Sequence, residues 1–179
     1  TWTEQGDLLF TAHAGHGEYP KFVFTPGDID ETIALTLKAF DMADIYQTPA
    51  IVMSDKQLSE SRKDIISGDL QDMIKNHTPN RGKIVSHTDE LPYLRFKDMP
   101  DGVSPMLMPG QPGVFYQANS YEHVEDSHTS EDSHVKNQQT DKRNRKIQTY
   151  LQNHFELPQI YGDVSQSDII FVSWGSNKG

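Results

Sequence analysis

The chain has 179 residues, 35% hydrophobic and 23% charged, with a formal net charge of −10 and no cysteine. That length holds one domain with its own core, or pieces of two. No apolar run approaches the roughly 20 residues of a membrane-spanning helix, and the missing thiols exclude disulfides, thiolate zinc sites and cysteine-bound clusters within this chain. The acidic balance also argues against nonspecific nucleic-acid binding, which needs clustered Lys and Arg on phosphates.

The opening stretch, "TWTEQGDLLFTAHAGHGEYP", carries no basic patch followed by an apolar core, so a cytoplasmic location is expected. It is polar, punctuated by glycine and weak in periodicity, and so reads as a loop. Gln5, Asp7, His13, His16 and Glu18 could position a carboxylate or carbonyl, or move a proton near neutral pH. The plainer reading is that they cap and hydrogen-bond that loop.

Phe22 to Phe24 form a short apolar strand, broken by Pro26-Gly27. Asp28 caps a helix, with Glu31 three residues on as in a capping box. Ile29, Ile33, Leu37, Phe40 and Ala43 give it an apolar stripe as far as about Tyr46. After Pro49, the run Ala50 to Met53 predicts a buried strand. Strand, helix and strand at this spacing define a βαβ unit with parallel pairing, hence an α/β fold. Ligands in such sheets sit beyond the carboxyl ends of the strands, next to Ser54-Asp55-Lys56.

Residues 60 to 120 are rich in proline and glycine and predict a long connection with short strands that contributes no core. "YEHVEDSHTSEDSH" follows, and its Glu122, His123, Glu125, Asp126, His128, Asp132 and His134 could chelate a divalent metal. No fixed ligand spacing is present, and basic residues from Lys136 to Lys146 come next. The plainer alternative is therefore a solvated acidic loop paired with a charged helix. That helix is expected from about His134 to His154, with a thin stripe of Val135, Ile147 and Leu151. Last, "SDIIFVSWGSNKG" predicts a strand entering a glycine-rich turn, as at the start of a further α/β domain. The turn lacks P-loop spacing but could cradle a phosphate.

Seven segments, "TEQGDLLF", "HGEYPKFVFTPGD", "AFDMADIYQTPAIVMSD", "DGVSPMLMPG", "EHVEDSHTSED", "DKRNRK" and "WGSNKG", occur in an order found in one family. On them the chain resembles the α subunit of thiamine-diphosphate-dependent 2-oxoacid:ferredoxin oxidoreductases, most closely the 2-oxoglutarate (KorA-type) branch. The resemblance implies oxidative decarboxylation of a 2-oxoacid to an acyl-CoA, with electrons passed to ferredoxin. It implies a β subunit that carries the diphosphate end of thiamine diphosphate, Mg²⁺ and an iron–sulfur cluster, with none of these held by this chain alone. It further implies the C-terminal half of a pyrimidine-binding domain with a parallel sheet, a long linker, and the first strand of a following α/β domain. Residues 1–105 would form the partial pyrimidine-type domain with its trailing segment, 106–166 the linker, and 167–179 the start of the next domain.

In that family the glutamate that activates the pyrimidine, and the Arg-containing loop for the substrate carboxylate, precede the "TEQGDL" segment. Neither lies in this chain, so no catalytic residue is expected here, and Glu4 and Glu18 are not assigned the activating role. By position Thr3, Gln5 and Asp7 continue a loop near the active site, with His13 and His16 around it. Two alternatives stay open: the same family acting on pyruvate or a branched-chain 2-oxoacid, or a non-catalytic docking piece.

Overall fold

The structure, a computed structural model, describes residues 6–178. Thr3 and Gln5 therefore lie outside the described residues. The opening is not a loop throughout: Asp7–His13 form helix α1. Asp7 sits in its first turn, where a carboxylate favours the helix dipole. The far end is closed by Lys21, whose Nζ donates to the carbonyls of Ala12 and Ala14 at 3.0 and 2.8 Å. That donor is remote in sequence, so local periodicity could not reveal the helix.

Strand β1 (Phe22–Phe24), helix α2 (Ile29–Tyr46) and strand β2 (Ala50–Val52) build the expected βαβ unit. The strands pair in parallel, Phe22 with Ala50, Val23 with Ile51 and Phe24 with Val52. Asp28 accepts from the Glu31 amide at 2.8 Å, and Glu31 reaches back to the Gly27 amide at 2.8 Å, a reciprocal cap at the start of α2. β2 is only half-buried, unlike the expected buried strand, because its sheet has two strands among the described residues.

α2 buries a different face from the one its stripe suggested. Ala39, Met42 and Tyr46 are buried, whereas Phe40 is 71% exposed. Tyr46 fills the space at the end of the helix, among Phe22 and Tyr150. Of the predicted stripe only Phe40 faces solvent; Ile29, Ile33, Leu37 and Ala43 are half-buried.

The connection that followed no periodicity holds two helices, α3 (Lys56–Glu60) and α4 (Ser67–Asn76), and a second parallel pair, β3 (Ile84–Val85) with β4 (Met106–Leu107). It does contribute core, contrary to expectation. Tyr93, Val103 and Leu107 are buried, and Val103 joins Met42 and Tyr46 in the main cluster. The Tyr93 hydroxyl donates to the Pro105 carbonyl at 2.8 Å and accepts from the Leu107 amide at 2.7 Å, so a side chain pins this proline-rich segment beside the short β3–β4 ladder.

Helix α5 (Ser133–Asn153) forms close to its predicted bounds, but its apolar stripe does not. Ile147 and Leu151 are exposed, and the buried positions are Gln139, Lys142 and Lys146. Lys142 Nζ donates to the Phe96 carbonyl at 2.5 Å and Lys146 Nζ to the Gln47 carbonyl at 2.9 Å. Arg145 pairs with Asp98, and Thr149 Oγ1 donates to the Asp101 carbonyl at 2.8 Å. The neighbouring segment presents carbonyl oxygens, so the helix meets it with donors. Gln47, in the left-handed conformation after α2, also accepts from Arg95 at 3.0 Å and donates to the Ser104 carbonyl at 2.7 Å.

Gly102 lets this seam close. Its φ is +77°, and a Cβ there would sit 2.5 Å from the Lys142 carbonyl oxygen. Gly102→Ala is therefore expected to lose roughly 1–3 kcal/mol from backbone strain alone, read as a lowered urea midpoint. Gly68, with open space around its Cβ position, is the control. Equal midpoints for Gly102→Ala and Gly68→Ala would refute the steric account.

Residues 168–174 form no strand: Ile169, Ile170, Phe171 and Val172 are exposed. None of these residues makes a backbone ladder to another described segment.

Candidate functional site

A cleft of about 690 Å³ opens between the segment after α1, the segment before α5, and α5 itself. His16, Gly17, Glu18 and Tyr19 form one wall; Ser120, Tyr121 and Glu122 form another; Lys136, Thr140 and Arg143 project from α5. Those three helix residues recur at spacings of four and three, which places them on one face.

The first wall is shaped by glycine. Gly15 has a φ of +121°, and a Cβ there would lie 2.2 Å from the Tyr19 hydroxyl oxygen. Tyr19 donates to the Ala14 carbonyl at 3.3 Å, and Lys21 stands 4.7 Å from its ring centroid. The chain therefore turns tightly after α1 and presents His16 and Glu18 to the cleft.

On the opposite side Arg143 holds Glu122 in a two-pronged pair, Nη1 to Oε1 at 3.0 Å and Nη2 to Oε2 at 2.7 Å. Burial pushes the Glu122 pKa up, but the Arg143 bonds and charge outweigh it and the net shift is downward. Arg143 also donates to Thr140 Oγ1 at 3.2 Å. Next to the cleft, the His123 ring stacks on Phe96 with centroids 3.7 Å apart, and burial lowers its pKa. Its Nδ1 is buried without a hydrogen-bond partner.

The predicted site residues scatter. His16 lines the cleft. Asp7 starts α1 and His13 ends it, and neither is among the lining residues. The acid and histidine cluster disperses to separate partners: Glu122 to Arg143, Glu125 to the Asp98 amide, Asp126 to His128, and Asp132 to the cap of α5. Among the described residues no group of three or more His, Asp or Glu could hold a metal ion. Lys136, Thr140 and Arg143 were missed as a set, although their common helical face was readable once α5 was placed. Tyr121 carried no signal.

The parallel βαβ unit with its capped helix defines an α/β protein. The chain belongs to the pyruvate flavodoxin/ferredoxin oxidoreductase family, whose thiamine-diphosphate-binding domain matches residues 1–142. It is 37% identical over its whole length to 2-oxoacid:ferredoxin oxidoreductase 1 subunit alpha of Sulfurisphaera tokodaii, spanning 28% of that subunit. It is 26% identical to 2-oxoglutarate synthase subunit KorA of Methanocaldococcus jannaschii, over 98% of this chain and 44% of that one. Among solved structures it is similar to the 2-oxoglutarate:ferredoxin oxidoreductase of Magnetococcus marinus, solved with 2-oxoglutarate, coenzyme A and succinyl-CoA, at a TM-score of 0.68 and 26% identity. That likeness covers 89% of this chain and 27% of the solved one. The chain thus spans less than half the length of each of these relatives.

The described residues do not by themselves fit thiamine diphosphate. The buried side-chain nitrogen and oxygen atoms left without partners are His123 Nδ1 and Arg145 Nε, neither of them a carboxylate. No acidic trio stands ready for Mg²⁺ among the described residues.

Proposed function

We propose that this chain is part of the α subunit of a 2-oxoacid:ferredoxin oxidoreductase that converts 2-oxoglutarate to its acyl-CoA. Electrons pass to ferredoxin through a β subunit carrying the diphosphate end of thiamine diphosphate, Mg²⁺ and an iron–sulfur cluster. The 37% identity to the Sulfurisphaera subunit across the whole chain carries this reading. KorA and the Magnetococcus enzyme support 2-oxoglutarate over other 2-oxoacids. Residues 1–105 belong to the pyrimidine-type domain and 106–166 to the linker, with 167–179 opening the next domain; Thr3, Gln5, Asp7, His13 and His16 lie along the edge of the active site. The protein works in the cytoplasm.

Within this reading the cleft binds an anionic end of the substrate. Lys136 carries the cation, since Arg143 is already neutralised by Glu122. A 2-oxoacid with a second carboxylate gains from such a cation, whereas pyruvate does not.

The complete natural α polypeptide and its β partner, given thiamine diphosphate, Mg²⁺ and CoA, should reduce viologen with 2-oxoglutarate. Lys136→Ala is expected to raise KM for 2-oxoglutarate roughly 10-fold at near-constant kcat, and to leave pyruvate kinetics unchanged. Turnover with pyruvate alone sinks the substrate assignment, and an equal KM change for both acids sinks the role of Lys136. Failure with every 2-oxoacid favours the docking reading.

A further inference from the structure

The cleft beside α5 holds two cations of different kinds. Lys136 presents an ammonium whose side chain makes no ion pair or hydrogen bond among the described residues. Arg143 presents a planar fork, the better match to a carboxylate or a phosphate. That fork is filled by the protein itself: Glu122 accepts from Nη1 at 3.0 Å and from Nη2 at 2.7 Å. The stronger anion receptor of the cleft is thus covered by a carboxylate from the facing wall.

Glu122 is not a stray surface acid drawn to the nearest arginine. Its main chain is fixed without Arg143: the Ser130 amide donates to the Glu122 carbonyl at 2.9 Å, and His123 bridges to Thr129 in antiparallel fashion. The Val124 amide closes the turn between them on the His128 carbonyl at 2.9 Å, with Ser127 buried at a φ of +86°. Arg143 is fixed as well, since it lies within α5 and its Nη2 also donates to Thr140 Oγ1 at 3.2 Å. The side chains are 18% exposed at Glu122 and 31% at Arg143, so the pair is shielded from bulk salt yet open to the cleft. Burial works against the Glu122 charge, but the Arg143 bonds and charge outweigh it, and the carboxyl stays ionised at neutral pH.

We propose that Glu122 is a built-in competitor that holds Arg143 away from ligands, so that anions entering the cleft are met by Lys136 alone. Glu122 then sets which anions the cleft takes. A single carboxylate finds its cation in Lys136, whereas a ligand that needs a two-pronged donor must first displace Glu122. Glu18 on the other wall adds a second negative charge to the cleft. The inference rests on the reading of this cleft as an anion site.

The test is the binding of inorganic phosphate to the complete natural α polypeptide with its β partner, read by titration calorimetry. Thiamine diphosphate, Mg²⁺ and CoA are present at saturation, so that other phosphate sites are filled. Glu122→Gln keeps the side-chain shape without the charge, and should bind phosphate about 10-fold more tightly than wild type. Adding Arg143→Met should abolish that gain. Lys136→Ala alone should abolish the weak wild-type binding, and Glu122→Gln in that background should restore it through Arg143. A merely structural tie between the wall and α5 predicts no gain, since loosening it would weaken the site. An unchanged affinity in Glu122→Gln, or a gain that survives Arg143→Met, overturns the competitor role. Phosphate binding retained at the wild-type level in Lys136→Ala overturns it too, and that change is at an exposed side chain and leaves the Glu122–Arg143 pair intact. Phosphate binding needs no turnover, so a gain without 2-oxoglutarate activity sinks the substrate reading alone, and activity without a gain sinks this inference alone.

Discussion

Tyr46→Ala is expected to destabilise the protein by about 3–5 kcal/mol, the range for truncating a large buried aromatic. Tyr46 is 1% exposed, and its ring lies 5.4 Å from that of Phe22 and 5.9 Å from that of Tyr150. One residue thus ties β1, α2 and α5 together, and its loss leaves a cavity where three elements meet. Its hydroxyl is bonded to His154 Nδ1 at 2.7 Å, at the end of α5. Tyr46→Phe keeps the packing and removes that bond, for about 1–2 kcal/mol. Urea unfolding of the three proteins separates the two contributions. If alanine costs no more than phenylalanine, the packing account is wrong.

The second large effect is a dependence of stability on pH. Lys142 is 5% exposed and Lys146 9%, and each donates to a backbone carbonyl in place of a carboxylate. Burial, then the Lys146 charge, lowers the Lys142 pKa from 10.5 to about 7. Burial, then Arg143 and Arg95, lowers Lys146 to about 8. Arg95 bears on both, while Asp98 and Glu125 pull Lys142 the other way.

A folded pKa below the unfolded one means that the unfolded chain holds more protons between the two values. Stability should therefore rise as pH increases from about 7 toward 10.5, by up to about 1.4 kcal/mol per unit for each lysine. Below pH 7 both groups are charged in either state and this gain is gone. Lys142→Met keeps much of the side-chain volume and should remove about half of the slope, at the cost of an unpaired Phe96 carbonyl. Urea midpoints at pH 7, 8 and 9 read it directly. A variant with the wild-type slope would show that Lys142 does not titrate in this window.

The βαβ unit was legible because each of its signals is local. Asp28 and Glu31 cap a helix wherever they stand at that spacing, and Pro26-Gly27 ends a strand by backbone geometry alone. α5 was legible for the same reason, as a long run without glycine or proline after Asp132. The faces these helices bury were not. α2 is apolar on two sides, and the choice between Phe40 and the Ala39, Met42, Tyr46 side depends on which neighbour is present. α5 is harder still, since the pattern to look for was hydrophobic and the buried set is Gln139, Lys142 and Lys146. The cleft shares this difficulty: His16 stood out as a histidine in a glycine-rich stretch, but Lys136 and Arg143 looked like any solvated charges.

By itself, then, the sequence determined the local elements: the α/β class, the capped helix between two strands, the long charged helix and, through seven ordered segments, the family. Their physical causes lie within a few residues of one another, in caps, breakers and backbone preference. Tertiary structure alone decided what those elements touch. It closed α1 with Lys21, joined Tyr46 to His154, set two lysines against backbone carbonyls and brought Ser176 to Asp55. Each of these is a bond between residues distant in the chain, and its worth depends on the burial that only the assembled fold creates.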